Sequence, residues 1–103
     1  MMVTPLSLTT DSGDDGSLVL KATGELDLSN VDAFSEAVAE ARAAASDLQL
    51  RVDLSDVDYL DSGAISVLFA HANAIQVVVN PILMPVLTIS GLTEVATVKP
   101  ASK

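Results

Sequence analysis

The chain has 103 residues, about one domain's worth, and half are hydrophobic, enough for one modest core. Only three residues are aromatic, so that core must be built from Leu, Val, Ile and Ala. A net charge of −9 argues against nucleic acid and against an anionic membrane surface, and the absence of cysteine removes disulfides, thiolate metal sites and thiol nucleophiles.

The charge is uneven. Thirteen of the fourteen acids lie between Asp11 and Asp61, which leaves the last forty residues almost uncharged and points to a partner with a basic face. The opening MMVTPLSLTT has no basic n-region and no long apolar run, so it does not read as a signal peptide. Residues 75–89 are the most apolar stretch, but they are too short to span a bilayer and are interrupted by Asn80, Pro81 and Pro85. The cytoplasm is the expected location, with no membrane insertion.

In chain order, Leu6 and Leu8 alternate with polar neighbours and predict a short first strand. DSGDDG (11–16) has turn composition, and SLVLKATGEL (17–26) reads as a second strand able to pair with the first as a hairpin. The period then changes: Ser29 or Asn30 can cap a helix whose apolar stripe is Val31, Phe34, Val38, Ala41 and Ala45, with Asp32, Glu36 and Glu40 outside. LQLRVDL (48–54) alternates strictly and is the clearest strand, followed by a loop, SDVDYLD.

From Ser62 the period is helical again, with Ile65, Leu68, Phe69 and Ala72 on one stripe, of which Ile65, Leu68 and Phe69 are expected to be buried. IQVVV (75–79) reads as a buried strand. Asn80-Pro81 suits a helix start, and Pro85 in the second turn makes that helix short, bent or delayed. Gly91 can end it, and EVATV (94–98) predicts an edge strand. The order β-β-α-β-α-β-α-β describes a single α/β domain over 1–103, core about 17–98, with a mixed four- to five-stranded sheet flanked by helices.

Three roles compete for Ser62. Placed after an acidic loop and before an apolar helical stripe, it is expected to be the N-cap. A hydrolase nucleophile fits poorly: no G-x-S-x-G elbow surrounds it. The only histidine, His71, is nine residues along the same helix, about 13 Å away at 1.5 Å per residue. A phosphoacceptor fits better, since a helix N-terminus tolerates a phosphate and the added charge would join Asp58 and Asp61.

The acids Asp53, Asp56, Asp58 and Asp61 lack the spacing of a Ca²⁺ loop, and one histidine without cysteine argues against zinc. No Gly-rich phosphate cradle occurs. No metal, no cofactor and no enzymatic activity are expected.

TGELD (23–27), LRVDLSDVDYLDSGAISVL (50–68) and ISGL (89–92), in that order and spacing, resemble the STAS domains, named for sulphate transporters and anti-sigma factor antagonists. The resemblance runs from about Leu18 to Val98. It implies that Asp61 and Ser62 correspond to the aspartate–serine pair holding the regulatory phosphoserine of bacterial anti-sigma factor antagonists. The aspartate ending the family's central strand falls on Asp53 or Asp56.

The partner surface implied is Asp27, Asp56, Asp58, Asp61, Ser62 and Gly63. The implied partners are an anti-sigma factor with serine-kinase activity, which phosphorylates Ser62 and so ends the interaction, and a PP2C-like phosphatase that restores it. The alternative within the family is a STAS-only accessory subunit of an ABC-type lipid transporter. The sequence departs from the family in continuing Gly63-Ala64 after Ser62, and in a stretch from Ser62 to Pro81 about two helical turns shorter. The apolar second half favours self-association as a homodimer.

Overall fold

Strands form where apolar residues alternate, and helices where they recur at three and four; the computed structural model describes residues 6–13, 16–45 and 48–102. In chain order these are β1 (Ser7–Ser12), β2 (Leu18–Leu26), α1 (Val31–Ala45), β3 (Leu50–Leu60), α2 (Ser62–Ala70), β4 (Ile75–Val79), α3 (Met84–Ser90), α4 (Leu92–Val95) and β5 (Thr97–Pro100). Two 3₁₀ turns, Ala72–Ala74 and Pro81–Leu83, lead into β4 and α3. Residues 1–5, Asp14, Asp15, Ser46, Asp47 and Lys103 lie outside the described residues, so the turn expected at 11–16 is described only in part.

The strands lie in the order β1-β2-β3-β4-β5, with β1 antiparallel to β2 and the rest parallel. A sheet that always advances in one direction through crossovers of one hand places every helix on the same face. Burial agrees. Leu20, Ala22, Leu50, Val52, Leu54, Ile75, Val77 and Val79 are buried toward Phe34, Val38, Leu68, Leu87 and Leu92. The residues between them, Lys21, Arg51, Asp53, Gln76 and Val78, face the other, helix-free side and are half-buried. Among the described residues no polar or charged side chain is buried.

Four expectations need correction. The stretch expected as a loop after Leu54 is strand: β3 continues to Leu60, beside β2. Its alternation is hidden because the register shifts between Lys21 and Thr23 and again between Gly24 and Glu25. Buried positions on β3 therefore run Leu50, Val52, Leu54, then Val57 and Leu60, and period two becomes period three. On α2 the sheet-facing residues are Ala64 and Leu68, with Ile65 and Val67 half-buried beside them; Phe69 points outward, one residue further round the helix.

The last strand is Thr97–Pro100 rather than 94–98, because Glu94 and Val95 belong to α4. Ser62, expected as a cap, is the first residue of α2, and Asp61 caps it. The helix expected from Asn80-Pro81 is delayed. Asn80 Oδ1 accepts from the Ile82 N–H (3.2 Å), a 3₁₀ turn follows, and α3 starts at Met84. Pro85 thus falls in the first turn, where its missing N–H removes no helical bond.

Gly24 sits where the register between β2 and β3 shifts, with φ of 115°, and is buried opposite Val57. That backbone region is nearly closed to residues with a Cβ. Gly24→Ala is expected to lower unfolding free energy by about 1–3 kcal/mol, read from urea titration followed by circular dichroism. An unchanged midpoint would show that the strand relaxes to a conformation alanine accepts.

Candidate functional site

The parallel strands β2 and β3 end side by side, and their C-terminal ends carry the loops into α1 and α2. The Asp61 N–H donates to the Leu26 carbonyl (3.0 Å), tying the two exits together. Beyond Leu26 the chain turns in four residues. Asp27 Oδ1 accepts from the backbone N–H and the hydroxyl of Ser29, while Asn30 Oδ1 accepts from the Asp27 N–H (3.0 Å). Asn30 Nδ2 donates back to the Glu25 carbonyl (2.8 Å). The Ser29 hydroxyl, helped by its N–H, holds the Asp27 carboxyl below the usual carboxylate range.

This cross-braced turn explains why neither candidate cap residue works simply as a cap: Asn30 faces the strand end, and its carbonyl starts α1 by accepting from the Phe34 N–H (3.1 Å).

At the start of α2, Asp61 Oδ1 accepts from the Ala64 N–H (3.2 Å) and the Asp61 carbonyl accepts from the Ile65 N–H (3.2 Å). Ser62 is exposed, and its hydroxyl makes no hydrogen bond among the described residues; its carbonyl accepts from the Ser66 hydroxyl (3.0 Å). Because the cap is a carboxylate and not the serine, the two residues separate cleanly by mutation. Asp61→Ala is expected to cost about 1 kcal/mol, whereas Ser62→Ala should stay within about 0.5 kcal/mol of wild type in thermal or urea unfolding. Equal losses would return the capping role to Ser62.

Gly63 permits a close approach. A Cβ there would lie 3.3 Å from Asp61 Oδ1 and 3.4 Å from Val31 Cγ2, tighter than ordinary packing. The first turns of α1 and α2 therefore touch at a position where any side chain would press on the capping carboxylate.

The structure thus brings Asp27, Asp61, Ser62 and Gly63 to one end of the sheet, with Asp58 exposed near the end of β3. Asp56 is not in this group. It pairs with Lys21 across the helix-free face (3.0 Å), and its hydrogen bond and charge, with Asp53 adding to them, raise the Lys21 pKa. Asp53 lies on the same face and accepts from the Ser55 N–H (2.9 Å).

His71 stands at the far end of α2, where its backbone N–H donates to the Leu68 carbonyl and its ring Nδ1 lies 3.2 Å from Arg42 Nη1. Burial, then the Arg42 charge, pushes its pKa down. It is not placed to serve Ser62.

Sequence reasoning missed two residues at this end. Leu28, at the tip of the Asp27–Asn30 turn, is 83% exposed, and Tyr59 on β3 is half exposed opposite Glu25. Single exposed apolar residues carry no periodic signal; only the lone tyrosine in an acidic stretch could have drawn notice. Two surface hollows, one lined by Gln49, Asn73 and Thr97 and one by Ser17, Arg51 and Gln76, lie at the opposite end of the sheet. Among the described residues no helix is long and apolar enough to cross a membrane, and no group of three or more His, Asp or Glu side chains is placed to hold a metal ion.

Known proteins share this architecture. An anti-sigma factor antagonist from Mycobacterium paratuberculosis superposes with a TM-score of 0.84 at 24% identity, covering 97% of this chain and 92% of that one. The anti-sigma factor antagonist SpoIIAA in its unphosphorylated form matches with a TM-score of 0.69 at 16% identity, over 94% of this chain and 90% of that one. The Bacillus cell fate determinant SpoIIAA in its phosphorylated form matches with a TM-score of 0.58 at 18% identity, over 94% and 93%. At such identities the likeness is one of fold. No curated protein sequence matches the chain. The sequence itself matches the family model described as "Mlab, STAS domain" over residues 9–97. The chain therefore belongs to the STAS domain family.

Proposed function

We propose that this chain is an anti-sigma factor antagonist, a binding module rather than an enzyme, switched by phosphorylation of Ser62. Unphosphorylated, it holds an anti-sigma factor that is also a serine kinase and so frees a sigma factor in the bacterial cytoplasm. Phosphorylation ends the hold, and a PP2C-like phosphatase restores it. The observation that carries this reading is the exposed Ser62 hydroxyl at the first position of α2, left unused because Asp61 makes the cap.

A phosphate added there leaves every hydrogen bond of the helix start in place. It adds about −1.5 to −2 charges beside Asp61 and near Asp27 and Asp58. The docking surface is this end of the sheet: Asp27, Asp58, Asp61, Ser62 and Gly63 as the polar part, with Leu28 and Tyr59 as exposed apolar anchors. Its negative charge calls for a partner with a basic face. Asp56, paired with Lys21 on the helix-free side, contributes less.

Calorimetric titration of the cognate kinase tests the reading. Ser62→Ala is expected to bind like wild type, and Ser62→Glu at least about tenfold more weakly, a loss near 1.4 kcal/mol. Phosphoserine carries more charge than glutamate and should weaken binding further. Equal affinities for the Ala and Glu forms would reduce Ser62 to a surface residue. Co-purification separates this role from that of a transporter accessory subunit: the expected partner has a histidine-kinase-like ATPase fold, and an ABC-type ATPase in its place would overturn the proposal.

A further inference from the structure

The side of the molecule formed by α3 has a different chemistry from the acidic remainder. Ile89 is 86% exposed, Ile82 63% and Val86 41%, and their spacing of four and three puts them on one outward line along the 3₁₀ turn and α3. Pro81 and Pro85 are exposed between them. Phe69 of α2 extends the patch: its ring Cζ lies 4.0 Å from where a Cβ on Gly91 would sit, at the end of α3. No ionisable residue occurs from Pro81 to Ser90, and after Asp61 the chain holds only His71, Glu94, Lys99 and Lys103. A contiguous apolar patch of this kind on a small domain marks an interaction surface.

We propose that this face is a homodimer interface and that its occupant is a second copy of the same chain. The charge distribution selects that occupant. Each copy carries −9, with thirteen of its fourteen acids between Asp11 and Asp61, so two copies repel through most of their surfaces. On the α3 side, where residues 81–90 hold no ionisable group, they meet without like-charge contact. A basic partner would instead be drawn to the acidic end around Ser62. A two-fold contact places the same patch on both sides, so an uncharged apolar face meets its equal. Ile89 and Ile82 are the anchors, and Phe69 closes one margin.

This inference does not depend on the role of Ser62, which is at another end of α2. The test is sedimentation equilibrium of the full chain, wild type against Ile89→Lys and Val86→Lys. Wild type should dimerise with a dissociation constant of about 10 µM, tightening as salt screens the repulsion between the two acidic copies. Each lysine, placed twice across the two-fold, should weaken the dimer at least about tenfold while circular dichroism stays that of wild type. Should one variant unfold, the other carries the comparison. A wild-type chain that stays monomeric at about 500 µM overturns the proposal, whatever else the face then binds, and so does a dimer that survives both substitutions.

Discussion

Phe34→Ala is expected to remove about 3–5 kcal/mol of stability, most of what a domain of this size has. Phe34 is the largest fully buried side chain and the only aromatic one in the core. It stands on the sheet-facing side of α1, where the other buried residues are Val38, Ala41 and Ala45. Three of those four positions are small or β-branched, so α1 itself offers no long side chain to swing into the space left behind. The cavity stays open, and its cost adds to the lost transfer energy. Urea denaturation with a linear extrapolation reads the effect. A loss below about 1.5 kcal/mol would mean that α1 settles onto the sheet and closes the gap. Because Val31 of the same helix abuts Gly63, a sinking α1 would also disturb the start of α2, and the partner surface would change with the core.

Leu68→Ala is the second large effect, about 2–5 kcal/mol, and it falls on the helix that carries Ser62. α2 has nine residues, fewer than an isolated helix needs to persist in water. Only Ala64 and Leu68 are fully buried along it, so Leu68 supplies most of its grip on the sheet. Without it the helix is held by Ala64, by the half-buried Ile65 and Val67, and by the Asp61 cap. Native-state hydrogen exchange should then show the amides of α2 opening ahead of those in β3 and β4. Protection lost uniformly, in step with global unfolding, would mean that α2 and the sheet remain one cooperative unit.

The elements legible in the sequence were those whose pattern follows from a single neighbour. IQVVV is fully buried at alternate positions between β3 and β5, and its bounds agree residue for residue. α1 shows its stripe because one side faces the sheet and the other faces water. The second half of β3 was not legible, because β3 takes up an extra residue at each of two places where it pairs with β2, and that pairing involves a different segment of chain. The same holds at the site. That Asp61 and Ser62 open α2 could be read, but which of them caps it depends on where the helix begins, a matter of one residue that composition does not decide.

Phe69 was misplaced for a related reason: the sheet-facing direction of α2 is fixed by Ala64, a small residue that hardly weighs in an apolar pattern. Leu28 and Tyr59 are exposed, and nothing in the chain's periodicity marks an exposed residue for a purpose.

An open sheet has two unpaired borders, and β5 forms one of them. It is only four residues long, with Lys99 and Pro100 in its second half. A proline has no N–H to give to an incoming strand, and a lysine cannot be stacked on its own copy without cost. The other border, β1, is exposed along nearly its whole length as Ser, Thr and Asp, with Leu8 as its single large apolar residue. Both borders thus resist the addition of a further strand. The apolar side formed by α3 can be crowded against another molecule without the sheets joining edge to edge, so close association of copies need not lead toward a fibre.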